Sequence, residues 1–290
     1  MAPLTSAPFT DASLSGAPQN SIAPRRVVLL GASNLTRGIS TVVETATNVL
    51  GAPLEIIAAL GHGRSYGMTS GVLGRTLPGI LQCGLWDALA AQPRAPTAAL
   101  ITDIGNDIVY GASVESILGW IDECIARLST IDAVAGNANS GAERTVPIVL
   151  TLPPTETVMA LSEWRYSLMR SCTFPGCRLS RNDAFSRTEQ LDAGLQELAA
   201  RHGLRTVRPR GAWYGFDPIH IQRRHWSAAW SEMLSGWARE PRAPSFARGS
   251  FSRWLYLRSR SPARRAFFGI EQRAAQPCAH MRDGTTIAIY

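Results

Sequence analysis

Four short polar segments interrupt an otherwise apolar pattern, and together they hold the parts of an acyl-transfer site. "GASN" supplies Ser33 and Asn34, and "GHGRSYG" supplies His62, Gly63 and Arg64. "DIGND" supplies Asp103, Asn106 and Asp107, and "GFDPIHI" supplies Asp217 and His220. Acyl transfer needs a nucleophile, a base for its proton, a group that orients the base, and donors for the oxyanion. Ser33 can attack and His220 can take its proton. Asp217, three residues earlier, can reach His220 within one turn and fix its tautomer. The Ser33 N–H, the Gly63 amide and the Asn106 side-chain amide can serve as oxyanion donors, glycine being useful because it lets backbone approach a substrate closely.

These segments need a frame that brings them together. Short apolar runs at 26–31, 54–60, 97–105, 146–152 and 205–207 alternate with amphipathic stretches at 36–49, 71–90, 113–130, 186–202 and 222–237. The runs are continuously apolar, as expected of strands buried on both faces. Alternating strands and helices imply a parallel sheet with right-handed crossovers and helices on both sides. The expected fold is therefore a three-layer α/β/α domain over about 25–237 with a five-stranded parallel sheet. Ligands in such folds sit at the carboxyl ends of strands, where the polar segments fall. The stretch 153–185 is too long for a simple connection and is expected to form a lid or side wall.

The order Ser, Gly, Asn, then Asp-x-x-His resembles the SGNH (GDSL-type) hydrolase superfamily over residues 25–237. The resemblance implies a flavodoxin-like α/β/α fold and ester hydrolysis by a Ser–His–Asp triad with neither metal nor organic cofactor. It implies Ser33 as nucleophile in "GASNLTRG", Asn106 as oxyanion donor in "IGND", and Asp217 and His220 as partners in "DPIH". In "GHGRSYG" it implies Gly63 as the oxyanion glycine, with Gly61 the alternative. Two positions depart from the family pattern. Ala32 stands where an acid usually precedes the serine, removing a polar group from the turn, and Ile104 stands where the third block usually has glycine.

Neighbouring residues admit more than one role. Asn34, His62, Trp213 and Phe216 are candidate substrate contacts, and Trp213, Tyr214 and Phe216 together could form an apolar acyl wall, although core packing suits these aromatics equally. Arg37 and Arg64 can clamp an anionic group, or simply be solvated. Asp107 suits a structural role, and Asp103 either role. "VVLLGASNLTRG" also resembles a dinucleotide phosphate loop, making an NAD(P)-binding Rossmann-type oxidoreductase the rival. That fingerprint wants further glycines, and none lies between Gly31 and Gly38. An acyltransferase or a non-catalytic carbohydrate-binding relative would use the same scaffold.

Charge is unevenly placed. All 29 basic residues are arginines, and the net charge is +7. Ten arginines and three acids lie from Arg239 onward, so the rest of the chain is neutral. That argues against a nucleic-acid surface over the body. The segment 238–290 reads as an arginine- and aromatic-rich tail suited to weak contact with an anionic membrane or a nucleic acid, or as partly disordered. Residues 1–24, rich in Ala, Pro and Ser, read as a disordered leader without a secretion signal. With no apolar run long enough to span a bilayer, the expected location is cytoplasmic. The five scattered cysteines are expected to be free thiols rather than a zinc site or a disulfide in "CTFPGC".

Overall fold

A computed structural model of the chain describes residues 25–131, 147–174, 176–238 and 247–290. In β1 (Arg25–Leu30) every residue from Arg26 to Leu30 is buried, because successive side chains point into two different cores. Val27 and Leu29 pack with α1 (Ser33–Leu50), whereas Val28 and Leu30 face the opposite helical layer. The same alternation in β2 (Leu54–Ala59) places Ile56 and Ala58 on one side and Ile57 and Ala59 on the other. Continuous hydrophobicity in the sequence is thus the mark of a sheet covered on both faces.

After β2 comes a hairpin of β3 (Ser70–Val72) and β4 (Arg75–Leu77), then α2 (Leu85–Ala91) and β5 (Thr97–Ile101). The short α3 (Asn106–Val109) and α4 (Val114–Thr130) follow, and β6 (Ile148–Thr151) precedes α5 (Thr155–Met159) and α6 (Glu163–Thr173). The body continues through α7 (Arg181–His202), β7 (Arg205–Val207) and α8 (Trp226–Leu234). The five expected strands are all present and parallel, in the order β2-β1-β5-β6-β7. Read as first to fifth, this is the 2-1-3-4-5 order of flavodoxin-like sheets. Helices α1 and α8 cover one face, and α2, α4 and α7 the other.

Two expectations are corrected. The stretch 71–90 is not one helix, because Gly71, Gly74, Pro78 and Gly79 interrupt it and Leu73 and Gly74 turn at φ 51° and 75°. Both central residues at positive φ make the tight turn a hairpin needs. Second, the segment from residue 247 onward is part of the folded body. It forms α9 (Phe251–Arg258), β8 (Arg264–Phe267), β9 (Ile270–Arg273), β10 (Ala279–His280) and β11 (Thr286–Ile289). β11 pairs parallel with β2 and β10 antiparallel with β11, giving a central sheet of seven strands. β8 pairs with β4, building a four-stranded antiparallel sheet β3-β4-β8-β9 beside the main one. Leu257, Ile287 and Ile289 are buried in the main core. The basic composition masks "TIAI", a strand too short to stand out among arginines.

No helix among the described residues is long and apolar enough to cross a membrane, and all five cysteines are free. The expected leader, residues 1–24, lies outside the described residues.

Candidate active site

β1 delivers Ser33 to the carboxyl edge of the sheet, at the first turn of α1. The His220 loop lies alongside and is shaped by Asp217. Asp217 Oδ1 accepts from the Ile219 and His220 amides, each at 3.2 Å, folding "DPIH" back on itself. Its other oxygen, Oδ2, is 2.5 Å from His220 Nδ1, and His220 Nε2 is 2.9 Å from Ser33 Oγ. Burial works against ionisation of Asp217, but the His220 hydrogen bond and charge, the Ile219 amide and Arg37 outweigh it and hold the carboxyl below its usual range. A carboxylate only accepts, so Nδ1 carries the hydrogen and Nε2 is left to accept from the Ser33 hydroxyl. Ser33, His220 and Asp217 thus form one continuous chain of hydrogen bonds.

The turn before Ser33 carries Ala32 and no acid of its own, yet an acid reaches it from elsewhere. Asp103, at the end of β5, holds φ 61°, a backbone state that aspartate tolerates better than most residues. Its Oδ2 accepts from the Ala32, Asn34 and Leu35 amides at 2.9, 3.0 and 3.1 Å. Of the four successive amides 32–35, the Ser33 N–H is the one Asp103 does not take. A carboxylate at a helix N-terminus also meets the positive end of the helix dipole. This is where a dinucleotide pyrophosphate would bind in the rival Rossmann-type site. A second anion would find three amides already used and a fixed negative charge facing it.

Asn34 completes the brace. Its Nδ2 donates to Asp103 Oδ1 and to the Ile219 carbonyl, both at 2.8 Å, and its Oδ1 accepts from the Ile221 amide at 2.8 Å. The side chain considered as a substrate contact therefore spends its polar atoms tying the Ser33 turn to the His220 loop.

Asn106 begins α3, and its Nδ2 is buried without a hydrogen-bond partner among the described residues. Such an orphaned donor is costly unless something else comes to meet it. Gly63, at φ 61°, lines one cleft together with Ser33, Asn106 and His220. The Tyr110 hydroxyl donates to its carbonyl at 2.6 Å and pins the peptide. Gly61, the alternative, is buried against Leu77 and does not line that cleft. Asp107 is buried and braces the second polar segment, accepting from the Ser65 hydroxyl and, at 3.2 Å, from the Tyr66 amide. Burial pushes its carboxyl up to about 6 against those hydrogen bonds.

Two cavities meet at Ser33 and Asn106. One, of about 150 Å³, is mainly apolar and reaches under α5 and α6, with Val158, Leu161, Tyr166, Met169, Phe174 and Tyr214 among its walls. The stretch 153–185 therefore supplies a side wall. The other is a wider cleft of about 900 Å³ between the four-stranded sheet and the His220 loop.

The remaining candidates lie elsewhere or act otherwise. His62 lines the wide cleft. Burial, followed by the charges of Arg258 and Arg75, lowers its pKa to about 4, so it is neutral at pH 7. Trp213 is buried in the main core and touches neither cavity. Phe216 is 57% exposed and packs against Trp164, away from both cavities. Of the three aromatics considered as an acyl wall, Tyr214 alone lines the apolar pocket. Arg64 is fully buried and donates to the carbonyls of Leu60, Pro78 and Tyr290. Arg37 stands 3.9 Å from Asp217.

No family model and no curated protein matches the chain. Solved structures do. An aryl esterase from M. smegmatis is 16% identical with TM-score 0.45, covering 72% of this chain and 96% of its own. A carbohydrate acetylesterase from Sinorhizobium meliloti is 17% identical with TM-score 0.44, covering 68% and 91%. A member of the lipolytic protein G-D-S-L family from Veillonella parvula is 11% identical with TM-score 0.42, covering 72% and 96%. What each residue does here is argued from this chain's own geometry.

Proposed function

We propose that the protein hydrolyses carboxylic esters. The observation that carries this is the relay from Ser33 through His220 to Asp217, placed where an apolar pocket opens beside an unpartnered Asn106 amide. Ser33 Oγ attacks the acyl carbon while His220 Nε2 takes its proton, and Asp217 steadies the imidazolium that forms. Negative charge then develops on the carbonyl oxygen. The donors free to receive it are the Ser33 N–H, which Asp103 leaves alone, the Asn106 Nδ2, and the Gly63 amide in the cleft wall.

The tetrahedral adduct collapses when His220 gives its proton to the departing alkoxide, leaving Ser33 acylated. Water enters, loses a proton to His220 and attacks the acyl carbon, and the second adduct collapses as His220 returns that proton to Ser33 Oγ, releasing the carboxylic acid and free Ser33. The chemistry requires neither metal nor organic cofactor. A panel of nitrophenyl esters of increasing acyl length, assayed with wild type and Ser33→Ala, tests the proposal. Turnover in wild type that drops by roughly 10⁴-fold or more in Ser33→Ala is expected. Turnover that survives in Ser33→Ala defeats it.

A further inference from the structure

The wide cleft has a chemistry of its own, one that hydrolysis of a simple ester does not use. Arg75 from β4, Arg258 from α9 and Arg265 from β8 all line it. No Asp or Glu does. Among the described residues none of the three makes an ion pair. Arg258 Nη1 donates to neutral His62 Nε2 at 2.9 Å, and Arg265 Nε to Gln272 Oε1 at 2.7 Å. Burial, with Arg265 and Arg258 nearby, lowers the Arg75 pKa, so the guanidiniums are close enough to feel one another. Three cations crowded in a concave wall without a counter-charge destabilise the empty site, and an incoming anion relieves that cost. Planar guanidinium forks match the geometry of phosphate oxygens.

The direction of the reaction decides which half of the ester faces these arginines. His220 must protonate the leaving alkoxide, so the alcohol half lies on the His220 side of Ser33. His220 lines the arginine cleft and not the apolar pocket. Resting on the ester-hydrolase reading, we propose that the substrate is an acyl ester of a phosphate-bearing alcohol, its acyl chain in the apolar pocket and its phosphate held by Arg75, Arg258 and Arg265. Two of these arginines come from residues beyond 250, so the C-terminal segment completes the substrate site rather than trailing from it.

The test compares kcat/KM for butyryl glycerol phosphate with that for neutral monobutyryl glycerol, in wild type, Arg75→Gln, Arg265→Gln and Arg75→Lys. The expected result is a wild-type preference for the phosphate ester that falls roughly 10- to 100-fold in each Gln variant. Arg75→Lys, which keeps the charge and loses the fork, should fall between. Wild type alone should lose the preference as ionic strength rises from ~0.02 to ~0.5 M, a readout that needs no variant to fold. A second arm with oleoyl glycerol phosphate and monooleoyl glycerol separates a lipid headgroup from a soluble phosphate, the larger preference marking the source. Hydrolysis of the neutral esters with no preference for phosphate, or with one that the Gln variants and salt leave unchanged, overturns the inference and leaves the esterase reading standing. Absence of any Ser33-dependent turnover overturns both.

Discussion

Replacing Asp103 by Asn should disable the protein far more than loss of one surface charge would. Its Oδ2 receives three backbone amides and its Oδ1 receives Asn34 Nδ2. An amide must turn its single oxygen toward the three N–H groups, which aims its NH₂ at the Asn34 NH₂. Asn34 cannot flip to suit, because the Ile219 carbonyl and the Ile221 amide fix its orientation. Three charge-assisted bonds become neutral, losing about 1 kcal/mol each, and one buried donor pair goes unsatisfied at about 1–2 kcal/mol more. The sum, about 4–5 kcal/mol, reduces to about 3–4 because Asp103 is partly exposed and solvent screens part of the charge. Thermal unfolding should show a Tm lower by roughly 6–15 °C. The same brace sets Ser33 against His220, so kcat on a nitrophenyl ester should fall about 100-fold, the effect of an ~1 Å misplacement. KM should change less than kcat, since most apolar walls of the pocket come from α5, α6 and Tyr214. Combining Asp103→Asn with Asn34→Ala should cost at least ~1 kcal/mol less than the sum of the two. A variant whose Tm stays within ~2 °C and whose kcat/KM stays within about threefold of wild type would refute this account of the turn.

Two further outcomes follow from the site's polar groups. Asn106→Ala should lower kcat by roughly 10²–10³-fold while leaving thermal stability unchanged or slightly raised, because the deleted Nδ2 has no partner to lose in the resting protein; steady-state kinetics beside a melting curve reads both. Asp107 titrates at about 6 when folded against a reference value of 3.8, so between those values the folded protein binds more protons than the unfolded chain. Stability therefore falls as pH rises through that window, by about 3 kcal/mol from this fully buried group. Urea titrations across the window should show wild type losing that much relative to Asp107→Asn, and parallel profiles would count against the assignment.

Much of the frame was legible because two-sided burial leaves a direct trace. Val27–Leu30 and Ile56–Ala59 need apolar side chains at every position, so their runs stand out without any partner being known. Ser33, Asn106, Asp217 and His220 were legible for a related reason: each falls at the carboxyl end of a strand or in a tight local turn such as the Asp217–His220 fold-back. What composition hid depends on distant pairing. β4 is a strand only because β3 and β8 flank it, and β11 only because β2 offers an edge, so neither Arg75–Leu77 nor Thr286–Ile289 announces itself.

The role of Asp103 was hidden in the same way, since nothing in "DIGND" says that its carboxylate crosses to the turn at Ala32. That crossing fills the anion site of the strand-to-helix turn. A helix N-terminus attracts an anion, and here the anion is the chain's own. With three amides taken and one left over, the turn holds Ser33 in place and leaves its N–H as the donor that the proposed reaction would use.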